Sequence, residues 1–400
     1  MSQGSEVPPI RALLVDDDPM ITMLLGAFLE GLGYASESVS DGQQALARLT
    51  TGGFNLVITD REMPNMDGLD LCRAVRALPG ESYVYLIMLT SVGAEESLVA
   101  AMEAGVDDFV AKPMRPAELG ARLRAAERVL ALEAGLASRN RKLADAYGQL
   151  SRELELARSL QIGQLPAPAT FGSWRFDWMF EASSYVGGDI FDYFYLDHRH
   201  LGFYLADVSG HGVAAAMMAF NAQHQLLAAS QHVAASMLRD NGDLAATAVA
   251  AVTEYNRRFL QMKETSLYLT MVYGLIDMET RTAALVQAGH PAALVAAGAD
   301  GRYVPLGEGG LPVGILAEPE YEAHTITLPV GSRLVLYSDG ITDCTNPRGE
   351  TFGEQRLRDL LAAQRGVPLG QSCSAVRRAM RDWRGGVFED DVTLLALELR

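Results

Sequence analysis

The chain has 400 residues, 49% of them hydrophobic, which is enough apolar material for two or three packed domains and too much for a disordered chain. A formal net charge of −17 opposes binding to nucleic acid or anionic lipid, which require a basic surface, and no apolar run approaches a membrane span. Three cysteines, Cys72, Cys344 and Cys373, without CxxC spacing argue against a disulfide framework or a zinc site, and with a polar start that lacks signal-peptide character they fit a reducing cytoplasm.

Over the first 125 or so residues, apolar strand runs alternate with helical patterns. Ala12 to Val15 ends in Asp16-Asp17-Asp18, Leu56 to Thr59 ends in Asp60, Tyr85 to Leu89 ends in Thr90, and Asp108 to Ala111 ends in Lys112-Pro113. Helical periodicity falls at Met20–Leu29, Gly42–Leu49, Leu69–Leu78 and Glu95–Ala104. Such alternation predicts a doubly wound α/β domain on a parallel sheet, with chemistry gathered beyond the carboxyl ends of the strands. Those ends carry acids, a hydroxyl and a lysine. A run of acids after one strand can also be a solvated loop, but the coincidence of Asp60, Thr90 and Lys112 at the other ends disfavours that.

This segment resembles the response-regulator receiver domains. The resemblance rests on Thr59-Asp60-Arg61-Glu62-Met63-Pro64-Asn65-Met66-Asp67-Gly68 around the phosphoacceptor position, on the acidic pair Asp16 and Asp17, and on Thr90, Phe109 and Lys112. It implies a five-stranded parallel sheet and phosphorylation of Asp60 by a sensor histidine kinase or phosphotransfer protein, with Mg²⁺ held by Asp16, Asp17 and Asp60. Thr90 and Phe109 would be the switch residues and Lys112 the cation. A phosphoryl group adds about −1.5 to −2 of charge, enough to reorganise such a cluster.

From Arg115 to about Leu160 the pattern is almost unbroken helix. Val129, Leu136, Leu143, Leu150 and Ala157 recur every seven residues, while Arg139 and Glu153 interrupt a second row carried by Leu132, Ala146 and Leu160. Heptads with charged flanks predict a coiled coil and hence a parallel homodimer; an amphipathic helix packing onto its own domains remains open. Pro166 and Pro168 end the helix.

Beyond Phe171 the chain turns to strand-like runs, at Trp174–Glu181, Phe203–Ala206, Tyr268–Ile276, Ala283–Ala288, His324–Leu328, Arg333–Tyr337 and Leu394–Leu399. Helical patterns lie at Val213–Ser236, Asp243–Met262, Gly353–Gln364 and Gln371–Trp383. An antiparallel sandwich flanked by helices fits this order. Four acidic segments punctuate it, each read as closing an apolar run: Val186-Gly187-Gly188-Asp189, Ala206-Asp207-Val208-Ser209-Gly210-His211-Gly212, Tyr337-Ser338-Asp339-Gly340 and Glu389-Asp390-Asp391-Val392-Thr393. Any one of them is ordinary turn chemistry. Together they offer the carboxylate oxygens that hard divalent cations require.

The four segments resemble those of the metal-dependent (PPM-type) serine/threonine phosphatases, in the SpoIIE/RsbU-like branch, and the resemblance covers roughly the last 235 residues. It implies an α+β sandwich holding two Mn²⁺ or Mg²⁺ ions. Asp207 would lie between the ions, with the Val208 carbonyl as a further ligand, Asp189 on one ion, and Asp339 and Asp390 on the other. Asp391 would stand just outside, holding water or a further ion, and His211 would be either an acid catalyst or a loop-ordering residue. Asp192 and the Gly289-His290-Pro291 turn read as structural.

The expected architecture is therefore a receiver over 1–128, a helical coiled-coil linker over 129–165 and a phosphatase over 166–400. Its expected substrate is a phosphorylated STAS-type anti-sigma factor antagonist. The alternative is a non-catalytic adaptor with a degenerate phosphatase domain that binds a sigma factor or other regulatory partner. A degenerate domain is free to lose its metal acids, and here all four remain. No basic recognition helix supports a DNA-binding output.

Overall fold

A computed structural model describes residues 9–79, 83–91, 95–183, 185–210, 212–240, 242–261, 267–298 and 301–400. The chain divides into two compact units, Met1–Leu150 and Ser151–Arg400. In the first, strands β1 (Arg11–Val15), β2 (Ala35–Val39), β3 (Leu56–Asp60), β4 (Tyr85–Ser91) and β5 (Asp108–Lys112) form one parallel sheet in the order β2-β1-β3-β4-β5. Helices α1 (Pro19–Gly31), α2 (Gly42–Thr50), α3 (Gly68–Arg76) and α4 (Glu95–Glu103) make the crossovers. Both faces of the sheet are buried, which is why its inner strands read as continuous apolar runs. Asp18, the third acid after β1, caps α1 by accepting from the Met20 amide at 2.8 Å, with Pro19 in the first turn. That leaves Asp16 and Asp17 for the strand end.

Helix α5 (Pro116–Gln164) runs 49 residues without interruption. Leu119, Leu123, Ala126 and Leu130 bury themselves in the core of the first unit. Leu154, Ala157 and Leu160 line a cavity in the second. Between these segments the helix is exposed, with Leu143 at 67%, Tyr147 at 71% and Leu150 at 52%. The helix therefore packs on its own chain towards its ends and leaves the middle of the heptad stripe open.

The second unit is a sandwich of two sheets. One has the order β14-β11-β10-β9-β8, from β8 (Asp189–Tyr195), β9 (His200–Val208), β10 (Leu269–Asp277), β11 (Thr282–Ala288) and β14 (Ala323–Thr327). The other has the order β13-β12-β15-β16-β7-β6, from β6 (Ala169–Phe171), β7 (Trp174–Glu181), β12 (Ala293–Ala296), β13 (Val304–Leu306), β15 (Arg333–Tyr337) and β16 (Val392–Leu399). Phe176, Phe203, Leu205, Val272, Leu336 and Leu395 fill the space between the sheets. Helices α6 (Val213–Ala229) and α8 (Leu244–Leu260) cover the outer face of the first sheet, and α10 (Gly353–Ala363) and α11 (Leu369–Arg384) cover that of the second.

Strands β2, β6, β12 and β13 are not among the expected runs, and three further features depart from the pattern. The predicted helix Val213–Ser236 is broken by a π-helical turn at Ser230–Ala234 before α7 (Ala235–Asp240). Asp189 opens a strand that the sequence did not signal. Of the four acidic segments, those with Asp207 and Asp339 close strands β9 and β15, Asp339 also starting the short helix α9 (Asp339–Thr342), whereas Asp189 opens β8 and Asp390 and Asp391 precede β16. Met262, the last residue of the helix expected over Asp243–Met262, lies outside the described residues.

Candidate functional site

The first cluster sits at the carboxyl ends of β1, β3 and β5. Asp16, Asp17 and Asp60 each bring a carboxylate oxygen within 4.8 Å of the others, the one such trio among the described residues. Lys112 bridges two of them, with Nζ 2.7 Å from Asp60 and 3.1 Å from Asp16. Burial raises the Asp16 pKa, partly offset by the Asp18 amide and Lys112. Lys112 is held above its ordinary value: burial works against its charge, but hydrogen bonds to Asp60 and Asp16 outweigh that. Thr90 ends β4 in register with Ala111, and Phe109 is half-buried against the core face of the sheet. Asp16, Asp17, Asp60 and Lys112 thus come together at one edge, Thr90 lies near the end of the adjacent β4, and Phe109 sits earlier on β5.

The second cluster is assembled from both sheets of the sandwich. Antiparallel pairing of β8 with β9 sets Asp189 directly opposite Asp207. On its other side Asp207 faces Thr270, whose Oγ1 is 2.9 Å from Nδ1 of His290. Burial pulls the His290 pKa down to about 3, so the ring is neutral; its neighbour Gly289 is exposed, at φ 74°. Asp339 and Asp390 arrive from the second sheet. They are close enough for their charges, after burial, to be the main causes that raise the Asp207 pKa. Asp189 is raised well above its ordinary value by burial and then by Asp207 and Asp391, and Asp339 is raised by burial and Asp390.

Among the described residues, no lysine or arginine pairs with Asp189, Asp207 or Asp339. Asp189 Oδ1 is buried with no hydrogen-bond partner. A Cβ added at Gly188 would lie 2.9 Å from the Val208 carbonyl oxygen and 3.3 Å from Asp207 Oδ1, so glycine there leaves open the space beside both groups. Crowded carboxylates, an orphan oxygen and an unfilled cradle fit divalent cations, whose oxygen ligands are these groups.

Asp391 makes contacts that the sequence did not signal. Its Oδ1 accepts from the Ser183 amide and hydroxyl at 2.8 and 3.1 Å, and its Oδ2 from the Gly188 amide at 2.6 Å. It fastens the loop that leads into Asp189. From the other side Gln161 grips the same loop, donating to the Gly187 carbonyl at 2.8 Å and accepting from its amide at 3.1 Å. Sequence reasoning also passed over Thr393 and Ser338, whose hydroxyls lie beside Asp189. Asp192 accepts from the Tyr193 amide at 2.8 Å, in keeping with a structural part. His211 lies outside the described residues. An apolar cavity of about 380 Å³, lined by Leu160, Val213, Met217 and Phe220 among others, adjoins Asp189.

Comparison with known families places this second cluster. A family model described as Stage II sporulation protein E (SpoIIE) matches residues 197–400, which include Asp207, Asp339 and Asp390. The chain belongs to the SpoIIE family. Its N-terminal part is a response regulator receiver domain, matched over residues 12–124. There the chain is 41% identical over 115 residues to the DNA-binding response regulator MtrA of Mycolicibacterium smegmatis, covering 29% of this chain and 49% of that protein. It is 36% identical over 125 residues to the transcriptional regulatory protein ResD of Bacillus subtilis, covering 31% and 50%. The chain thus spans about half the length of the curated relatives it matches. Among solved structures it is similar in fold to the SiaA-PP2C domain of Pseudomonas aeruginosa, with a TM-score of 0.55 at 22% identity, covering 64% of this chain and 100% of that one. No helix among the described residues is long and apolar enough to cross a membrane.

Proposed function

We propose that this chain is a response regulator whose receiver, phosphorylated on Asp60 by a sensor histidine kinase or phosphotransfer protein, controls a metal-dependent phosphoserine/phosphothreonine protein phosphatase. The observation that carries the reading is the cross-strand pair Asp189 and Asp207, joined by Asp339 and Asp390, with no side-chain cation on the first three. Asp207 and the Val208 carbonyl would serve two Mn²⁺ or Mg²⁺ ions, Asp189 one of them, and Asp339 with Asp390 the other. When bound, the ions would supply the positive charge that polarises a phosphate ester and acidifies a water. The chain's own contribution is placement. The β8–β9 register sets two acids, the β15 and β16 ends bring the others, and Asp391 holds the loop before Asp189.

In the receiver, Asp16, Asp17 and Asp60 would hold Mg²⁺. Lys112, already on Asp60, would pair with the new phosphoryl group, while Thr90 and Phe109 respond to it. We assign 1–128 to the receiver, 129–165 to the helical connector and 166–400 to the phosphatase. The exposed stripe of Leu143, Tyr147 and Leu150 favours a homodimer through α5. The substrate we favour is a phosphorylated STAS-type anti-sigma factor antagonist, in keeping with the SpoIIE family. The adaptor reading is less well supported, because a binding-only domain has no need for four convergent metal acids.

The test is the rate of Mn²⁺-dependent dephosphorylation of such a partner before and after treatment with a phosphoryl donor. Activity that depends on Asp207 and changes with the donor is the expected result. No hydrolysis of the partner or of p-nitrophenyl phosphate in either receiver state would favour the adaptor. An Asp60→Asn variant that still responds to the donor would remove the receiver from the control scheme. Sedimentation of the full chain as a monomer with and without a phosphoryl mimic would rule out the dimer.

A further inference from the structure

Asp189 is almost fully buried, at 1% exposure, and its two oxygens are not equivalent. Oδ2 accepts a short hydrogen bond from the Thr393 hydroxyl, whereas Oδ1 has no partner. An unpartnered carboxylate oxygen away from water is costly, so the fold keeps Oδ1 unsatisfied only if something else is to occupy it. We propose that Thr393 is a positioning residue of the phosphatase metal centre, one whose hydroxyl takes up Oδ2 and turns Oδ1 alone toward a divalent cation. This rests on the metal reading given under the proposed function, and it assigns a task to a residue outside the ligand set.

The geometry around Thr393 suits that task. The residue is fully buried in β16 and lies opposite Phe180 of β7. Its amide donates to Ser338 Oγ at 3.0 Å, and its carbonyl accepts from the Ser338 amide at 3.0 Å. The Ser338 hydroxyl in turn donates to the Asp391 carbonyl at 3.0 Å. Thr393 is therefore held on one flank by β7 and on the other by Ser338, and its β-branched side chain has few rotamers to explore. The same segment carries Asp390 on one side and the orienting hydroxyl on the other. One strand start thus supplies a ligand for one ion and fixes the ligand of its neighbour. Partners of this kind are worth about 10–100-fold in metal affinity.

The test uses the full chain in an Asp17→Asn background, so that the receiver trio contributes less to metal uptake. Mn²⁺ alone is titrated, with free Mn²⁺ read by electron paramagnetic resonance. Thr393→Val keeps the shape and removes the donor; Thr393→Ser keeps the donor. The expected result is affinity weakened about 10–100-fold in Thr393→Val and restored in Thr393→Ser, with turnover at saturating Mn²⁺ much less affected than the Mn²⁺ requirement. Equal affinity in Thr393→Val and the parent would overturn this inference and leave the phosphatase reading standing. No Mn²⁺ uptake by the phosphatase unit of the parent would overturn both. Should Thr393→Val fail to fold, the comparison passes to Thr393→Ala against Thr393→Ser. A Ser variant as weak as the Ala variant would then sink the proposal, and a Ser variant that binds more tightly would support it.

Discussion

The two acidic clusters are built on opposite principles. In the receiver, Lys112 sits between Asp16 and Asp60 and answers their charge from within the chain. In the sandwich, no such cation lies on Asp189, Asp207 or Asp339 among the described residues, and burial with mutual repulsion pushes all three carboxyls upward. A site with its own counter-charge can hold its geometry with or without a divalent ion, as a switch that is read intermittently requires. A site without one stores repulsion that only ligands or protons relieve.

The largest expected effect comes from Asp207. Asp207→Asn should lower Mn²⁺-dependent phosphatase activity by more than about 100-fold, beyond the usual loss for a residue outside the ligand set. In EDTA it should at the same time raise the melting temperature by several degrees, roughly, because it removes a buried charge from a repelling group. A metal-free melt no higher than the parent's would break the comparison.

Acidity offers a second, smaller lever. For these carboxyls the folded-state pKa lies above the unfolded value, so the folded chain holds extra protons between the two. The penalty is absent below the ordinary carboxylate range and grows as pH rises toward the raised values. In EDTA, the melting difference between Asp207→Asn and the parent should therefore widen from about pH 5 to about pH 8, as followed by calorimetry. Saturating Mn²⁺ should close it, since at 100-fold excess over Kd a ligand stabilises by about 2.7 kcal/mol.

Lys112→Ala should have the smallest stability effect, roughly 1–3 kcal/mol after allowance for partial exposure, read from urea unfolding of the first transition. The variant should also make that unit's stability newly sensitive to Mg²⁺, since Asp16 and Asp60 would then resemble the other cluster. Indifference to Mg²⁺ would show that Lys112 is not what separates the two sites.

Most of the fold was legible because its strands are strongly apolar and its turns carry glycine, proline and capping acids. The receiver's strand-end residues were legible for the same reason: a parallel sheet delivers the ends of its strands to one edge. Strand β2 was not, since Ala35-Ser36-Glu37-Ser38-Val39 is a largely polar edge strand. Strand β8 escaped because its first residue is a buried aspartate, which local propensity counts against a strand. The grip of Asp391 on the loop before Asp189 left no signal in the sequence. Neighbouring side chains on extended backbone point to opposite sides, and only the register of β16 against β7 and β15 decides that Asp391 turns to Ser183 and Gly188. The π-helical turn at Ser230–Ala234 left no signal in the hydrophobic period.

The uncovered middle of α5 has a practical side. Between the packed segments lie Arg139, Arg141, Lys142 and Arg152, each a site where trypsin can cut. A helix with no neighbour frays and refolds on its own, and fraying is what admits a protease. The rate of clipping there is accordingly a gauge of whether anything has come to shelter the stripe, and diluting the protein is the simplest way to turn the dial.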